Sequence, residues 1–300
     1  MKFLKSLALS LLSFLLFLSL STFGLLFMVN STILNPDFVT AEINRLDVSS
    51  LAEEILSEQI PTGEFPEELR TVLVNTINDV EPWLKEEISA AVYSGYDYFM
   101  GRTEGLSLII STEPVRDSLK ENLREAFLAS PPPELQGLPP AMKEQYFDTF
   151  YQQLAENIPP NLEFTESSLA PDVQAMLQQV RQYISYLQLA YKALIGFMLL
   201  LVVGIILISR RVRDITRRLG IPCLTYGALW YAGILVAKYF TKTEGLLPPE
   251  IPASLQTWLP QFLYNFVAPL QMLSLGLLIG GIVLVIVSFV YKPRQAPAEA

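Results

Sequence analysis

Arg210-Arg-Val-Arg-Asp-Ile-Thr-Arg-Arg-Leu219 sets five arginines, Arg210, Arg211, Arg213, Arg217 and Arg218, between two long apolar stretches. Arginine is costly to move across a bilayer, so arginine-rich connections stay on the cytoplasmic side. This short segment therefore orients whatever spans flank it. Lys2 and Lys5 before the first apolar run, and Lys292 and Arg294 after the last, point to the same side. Both termini and the arginines are expected in the cytoplasm.

Working outward, the apolar stretches come in four blocks. Residues 6–29, 193–209, 219–237 and 262–291 carry no charged side chain. A spanning helix needs about 20 apolar residues at a rise of about 1.5 Å each. The second block reaches that length with Tyr191 and Lys192 at the interface. The first block is longer than the apolar core of about 7–15 residues in a signal peptide, and no Ala-x-Ala site follows it. It is read as an uncleaved anchor.

Between residues 30 and 188 the composition changes to 26 Asp and Glu against 9 Lys and Arg, a net charge of −17 where the whole chain carries −9. An acidic surface serves solubility and disfavours nucleic acid. The expected architecture is mainly α: a four-helix transmembrane protein with an inserted, mostly helical extracytoplasmic domain holding at most a small two-stranded sheet. The boundaries read as an anchor at 1–29, an acidic domain at 30–190, and a three-span region at 191–291. Its spans are about 191–209, 219–240 and 262–291, joined by a cytoplasmic arginine loop at 210–218, and residues 292–300 form a cytoplasmic tail.

Inside the acidic region, Asn35-Pro36 reads as a helix start and Ser50 with Glu53 as a capping box. Apolar residues from Leu69 to Phe99 recur at three- and four-residue spacing, with Pro82 expected to kink or split that helix. Residues 106–111 and 161–165 read as two strands that pair. Thr112-Glu-Pro114 opens a helix with Val115, Leu119, Leu123 and Phe127 inward. A further helix is marked by Met142, Tyr146, Phe150 and Leu154. Val173, Leu177, Val180, Ile184, Leu187, Tyr191 and Leu194 alternate four- and three-residue steps, which is a heptad seam. It runs unbroken into the second span and predicts one helix of roughly 45 residues, about 70 Å long. The seam is expected to pack on other helices of the acidic domain, with a parallel dimer as the alternative. Pro248 to Pro252 with Leu255, Trp258 and Leu259 suggests a short helix on the membrane surface. Gly276 and Gly280 form a GxxxG pair, read as a helix-packing site within the bundle, with a dimer face as the alternative.

The chain has no histidine and one cysteine, Cys223. That removes the commonest general base and metal ligand, every Ser-His or Cys-His nucleophile, and any disulfide within the chain. The paired glutamates 53–54, 67–68 and 86–87 are adjacent and so do not share a helix face. No catalytic residue, cofactor or metal is expected. Spans two to four hold no Asp or Glu between their ends, which argues against ion-coupled transport.

Tyr96-Asp-Tyr-Phe-Met-Gly-Arg-Thr-Glu-Gly-Leu-Ser-Leu-Ile-Ile-Ser111, with Val115-Arg-Asp-Ser-Leu119 and Asn35-Pro-Asp-Phe38, resembles segments of a group of uncharacterised prokaryotic multi-pass membrane proteins. The resemblance covers about 40 residues and the layout of anchor, outer helical domain and later spans; it implies no activity. Three function classes follow. The first is an envelope sensor, scaffold or binding protein that acts through its outer domain without catalysis. The second is a transport accessory or channel subunit, and the third an enzyme on lipid or envelope polymer. Expected partners are the lipid bilayer, anionic inner-leaflet lipid at the arginines, and a protein partner or a second copy of the chain.

Overall fold

The structure is a computed structural model and describes residues 2–59, 67–209, 211–241 and 251–290. Nine α-helices and two strands occur among them. They divide into two compact units. One, the bundle, takes residues 2–35, 182–209, 211–241 and 260–290; the other, the acidic unit, takes 36–59, 67–181 and 251–259.

The bundle rests on α1 (Lys2–Ser31), α7 (Pro171–Ser209), α8 (Val212–Thr241) and α9 (Ala253–Val290). All four are long and apolar enough to cross a membrane. Their contacts fix their directions. Arg218 of α8 donates to Ser10 of α1 at 3.0 Å, and Gly24 of α1 lies against Tyr226 of α8, so these two helices run parallel. Phe23 stacks on Tyr191 at 5.5 Å and Leu12 lies beside Gly204, so α7 runs against α1. Gly220 meets Leu284 and Gly227 meets Ser274, so α9 runs against α8. Leu16, Leu20, Leu201, Ile205 and Tyr226 form the bundle core.

Several expectations shift here. Three of the five arginines lie in a helix rather than in the expected loop. Arg210 lies outside the described residues, α7 ends at Ser209, and α8 already begins at Val212. Arg211 precedes that helix and its carbonyl accepts from the Asp214 and Ile215 N–H groups at 3.0 Å. Arg213, Arg217 and Arg218 occupy the first turns of α8, so the span expected from residue 219 starts earlier. The continuous helix α7 has 39 residues rather than 45, about 58 Å at 1.5 Å per residue. The expected surface helix is the start of α9, which runs on through Pro260 and Pro269. Within the acidic unit, Trp258 donates its indole N–H to the Glu42 carbonyl at 3.0 Å, and Ser254 donates to the Glu54 carboxylate at 3.0 Å. The tail at 292–300 and Tyr291 lie outside the described residues.

The acidic unit holds α2 (Pro36–Asn44), α3 (Val48–Gln59), α4 (Glu67–Phe99), α5 (Glu113–Ala129) and α6 (Pro140–Ala155). Asp47, not Ser50, caps α3: its carboxylate accepts from the Ser50 N–H at 2.9 Å and hydroxyl at 2.7 Å. α4 passes through Pro82 without ending. Gly101, at φ +71°, turns the chain after α4 in a conformation that glycine adopts without strain. Strands β1 (Ser107–Ser111) and β2 (Asn161–Thr165) pair antiparallel as expected, with Ser107 opposite Thr165 and Ser111 opposite Asn161. The Thr112 hydroxyl donates to the Pro159 carbonyl and so ties the start of α5 to the entry of β2.

Candidate functional site

The acidic unit carries a groove built by α4, α5, α6 and the Pro131-Pro132-Pro133 turn. Its volume is about 690 Å³, and Leu69, Leu123, Phe127, Phe147 and Phe150 line it. Polar bonds hold the three helices in register. Asn122 of α5 donates to Asp79 of α4 at 2.7 Å, and Ser118 to the same carboxylate at 2.9 Å. Arg124 of α5 pairs with Glu144 of α6 at 2.7 Å. Below them Phe147, Tyr151 and Ala155 form a buried cluster with Leu123, Phe127 and Leu154 packed on it. Burial pushes the Tyr151 phenol above its ordinary value, and its hydroxyl donates to the Arg116 carbonyl.

The buried face of α6 differs from the expected one. Phe147 is 1% exposed, whereas Met142, Tyr146 and Phe150 are 52%, 58% and 54% exposed. Both sets repeat every four residues, so each is a coherent helical stripe. The fold buries the stripe displaced by one residue, takes only Leu154 of the expected stripe against the core, and leaves Met142, Tyr146 and Phe150 facing outward. Phe150 opens into the groove. Glu68 lies at its edge, and Glu68 and Glu125 line an adjoining depression of about 320 Å³.

The residues singled out in the sequence do not converge there. Arg213, Arg217 and Arg218 belong to the bundle, and so do Gly276 and Gly280. A Cβ at either glycine would meet nothing within 4 Å. The GxxxG pair is therefore not the packing site within the bundle. That contact uses Gly281, where a Cβ would lie 2.8 Å from the Leu224 Cα, and Gly227, where it would lie 2.6 Å from the Ser274 carbonyl oxygen. Ser274, Gly281 and Ser288 are all buried and fall seven residues apart, a small-residue heptad that the sequence does contain. Gly24 is a further one: a Cβ there would run into the Tyr226 hydroxyl. Along α7, Leu177, Val180, Ile184, Tyr191 and Leu194 are half-buried, but Val173 and Leu187 are exposed, so the seam is covered only in part. Lys238 of α8 bonds to Gln271 of α9 and sits 3.4 Å from the Tyr264 ring centroid.

Among the described residues no group of three or more Asp, Glu or Cys is placed to hold a metal ion. Comparison with protein-family models, with curated proteins and with solved structures gives no match. The groove is apolar at its centre, with Glu68 at its edge.

Proposed function

We propose that this chain is an integral membrane protein that presents its acidic unit outside the cytoplasmic membrane and works by binding, through α6, a basic and apolar segment of a partner protein. The observation that carries this reading is the doubled apolar character of α6. One stripe is consumed by the core. The other, Met142, Tyr146 and Phe150, is left uncovered beside a groove, where exposed aromatic residues are an expense in water that a partner removes. Charge names the partner's chemistry: Glu68 and Glu125 border the site, and the region carries a net −17.

The direction of the spans supports the placement. Parallel α1 and α8 with antiparallel α7 and α9 bring Lys5, Arg211, Arg213, Arg217 and Arg218 to one end of the bundle, the arrangement in which positive residues face the cytoplasm. A fluorescent helical peptide of leucine and lysine tests the site on the full chain in detergent. Fluorescence anisotropy should show saturable binding, weakened at least about tenfold by Phe150→Asp if this aromatic anchors the contact. A leucine–glutamate peptide should not bind. Equal binding of both peptides, or binding indifferent to Phe150→Asp, would overturn the proposal.

A further inference from the structure

The bundle has its own cavity, about 390 Å³, between α1 and α8 at the arginine end. Ser10, Ser13 and Phe17 of α1 and Arg218, Ile221 and Thr225 of α8 line it. We infer that this cavity is a binding site for the phosphate headgroup of an anionic phospholipid, with the upper acyl chain laid along Phe17 and Ile221. The inference rests on the membrane-spanning reading and is independent of the binding role given to α6.

Three observations carry it. First, Arg218 is aimed. It is half-buried, and its guanidinium donates to the Ser10 hydroxyl at 3.0 Å, so the side chain is held against α1 at the cavity edge. The remaining guanidinium N–H groups suit a planar, charged acceptor such as phosphate. Second, the Ser13 hydroxyl is shut off from solvent and has no hydrogen-bond partner among the described residues. Elsewhere on the same helix Ser21 and Thr22 satisfy their hydroxyls on the carbonyl four residues back. Ser13 does not, and a buried donor without a partner calls for one. Ser13 lines the cavity, and a turn about its Cα–Cβ bond to another staggered rotamer brings the hydroxyl to a phosphate oxygen there. Third, the depth is right. Arg218 sits six residues into α8, about 9 Å from its start, where an arginine in a span reaches toward the headgroup layer. Phe14, Phe17, Ile221 and Pro222 are apolar and Thr225 spends its hydroxyl on the Ile221 carbonyl, which suits a lipid rather than a small hydrated anion.

The other arginines of this end attract anionic lipid as well, at about 1 kcal/mol each near the surface, or roughly fivefold. The cavity adds a discriminating element, so the test separates a built site from general attraction. The full chain is released from detergent micelles doped with phosphatidylglycerol or phosphatidylcholine, and bound lipid is counted by native mass spectrometry. Wild type should retain phosphatidylglycerol selectively. Arg218→Gln should reduce retention at least about tenfold and Arg213→Gln by no more than about fivefold. Ser13→Val, which changes no charge and leaves the Arg218–Ser10 bond in place, should reduce it several-fold as well. Equal losses for Arg213→Gln and Arg218→Gln, with Ser13→Val silent, would overturn the site in favour of diffuse attraction. Displacement of the lipid by millimolar inorganic phosphate would overturn the lipid assignment in favour of a free-anion site. Peptide binding at α6 should be unchanged by all three substitutions, so each reading can fail alone.

Discussion

The bundle and the acidic unit solve the same packing problem with opposite means. In the acidic unit, helices meet through large side chains: Phe127, Phe147 and Tyr151 fill the space between α5 and α6, and cross-helix bonds such as Asn122–Asp79 and Arg124–Glu144 set the register. In the bundle, α8 and α9 meet almost backbone to backbone, because Gly220, Gly227 and Gly281 have no side chain to hold them apart. The difference follows from solvent. Against water, burying an aromatic ring is strongly favourable. Against lipid, one apolar neighbour is as good as another, so close van der Waals approach through small residues drives association instead.

The largest expected effect lies on the aromatic side. Phe147→Ala should destabilise the acidic unit by about 3–5 kcal/mol, because it empties a fully buried site. Phe150→Ala, half exposed on the same helix, should cost under about 1 kcal/mol. Hydrogen exchange of α5 and α6 in the full chain measures both. Equal losses would mean that the two stripes of α6 have been assigned to the wrong faces.

Next comes the glycine side. Gly227→Ala should cost about 1–3 kcal/mol by forcing its methyl into the Ser274 carbonyl, seen as a lower thermal unfolding midpoint in detergent. Gly276→Ala, with open space around it, should leave the midpoint in place. The reverse ranking would restore the GxxxG pair as the crossing point and break the comparison.

The smallest effect is electrostatic and belongs to the acidic unit alone. The Asp47 carboxyl is held below its ordinary 3.8 by the hydrogen bonds from the Ser50 backbone and hydroxyl. For Glu81, burial works in the other direction, but hydrogen bonds from Lys85 and Ser49 outweigh it and keep the carboxyl below 4.5. Both ionised forms are thus favoured by folding. Their stabilisation is complete above those ordinary values and is lost as pH falls through the lowered ones. Protection of α3 should therefore weaken below about pH 4, and Asp47→Ala, which removes the cap, should cost about 0.5–2 kcal/mol at neutral pH and abolish part of that acid sensitivity. An acid profile unchanged by Asp47→Ala would remove the cap from the account.

These contrasts also show what a sequence can and cannot disclose. The four spans, the strand pair and the long helix α7 are legible because length, charge-free runs and periodicity are local properties. The buried face of α6 is not. Tyr146 and Phe147 are neighbours, both repeat four residues later, and periodicity alone cannot say which stripe meets α5. The glycines fail for a related reason. Gly276 and Gly280 match a known pattern, but whether a small residue is used depends on what faces it. The partner set Gly220 and Gly227, seven apart on α8, answers to Ser274 and Gly281, seven apart on α9. The signal is a small-residue repeat of seven on both helices, which a single-helix motif does not express. The cavity at Ser13 and Arg218 was out of reach because it joins residues some 200 positions apart.

The proposed topology puts the arginine end of the bundle inside the cell and the acidic unit outside. Cys223 is the only cysteine, so Cys223→Ser gives a clean background for single-cysteine variants. Ser130→Cys, exposed at the groove, and Asp214→Cys, exposed in the first turn of α8, are then treated on intact cells with a membrane-impermeant maleimide. Position 130 should be labelled in intact cells, and position 214 only after the membrane is opened. Labelling of 214 from outside with 130 protected would contradict it.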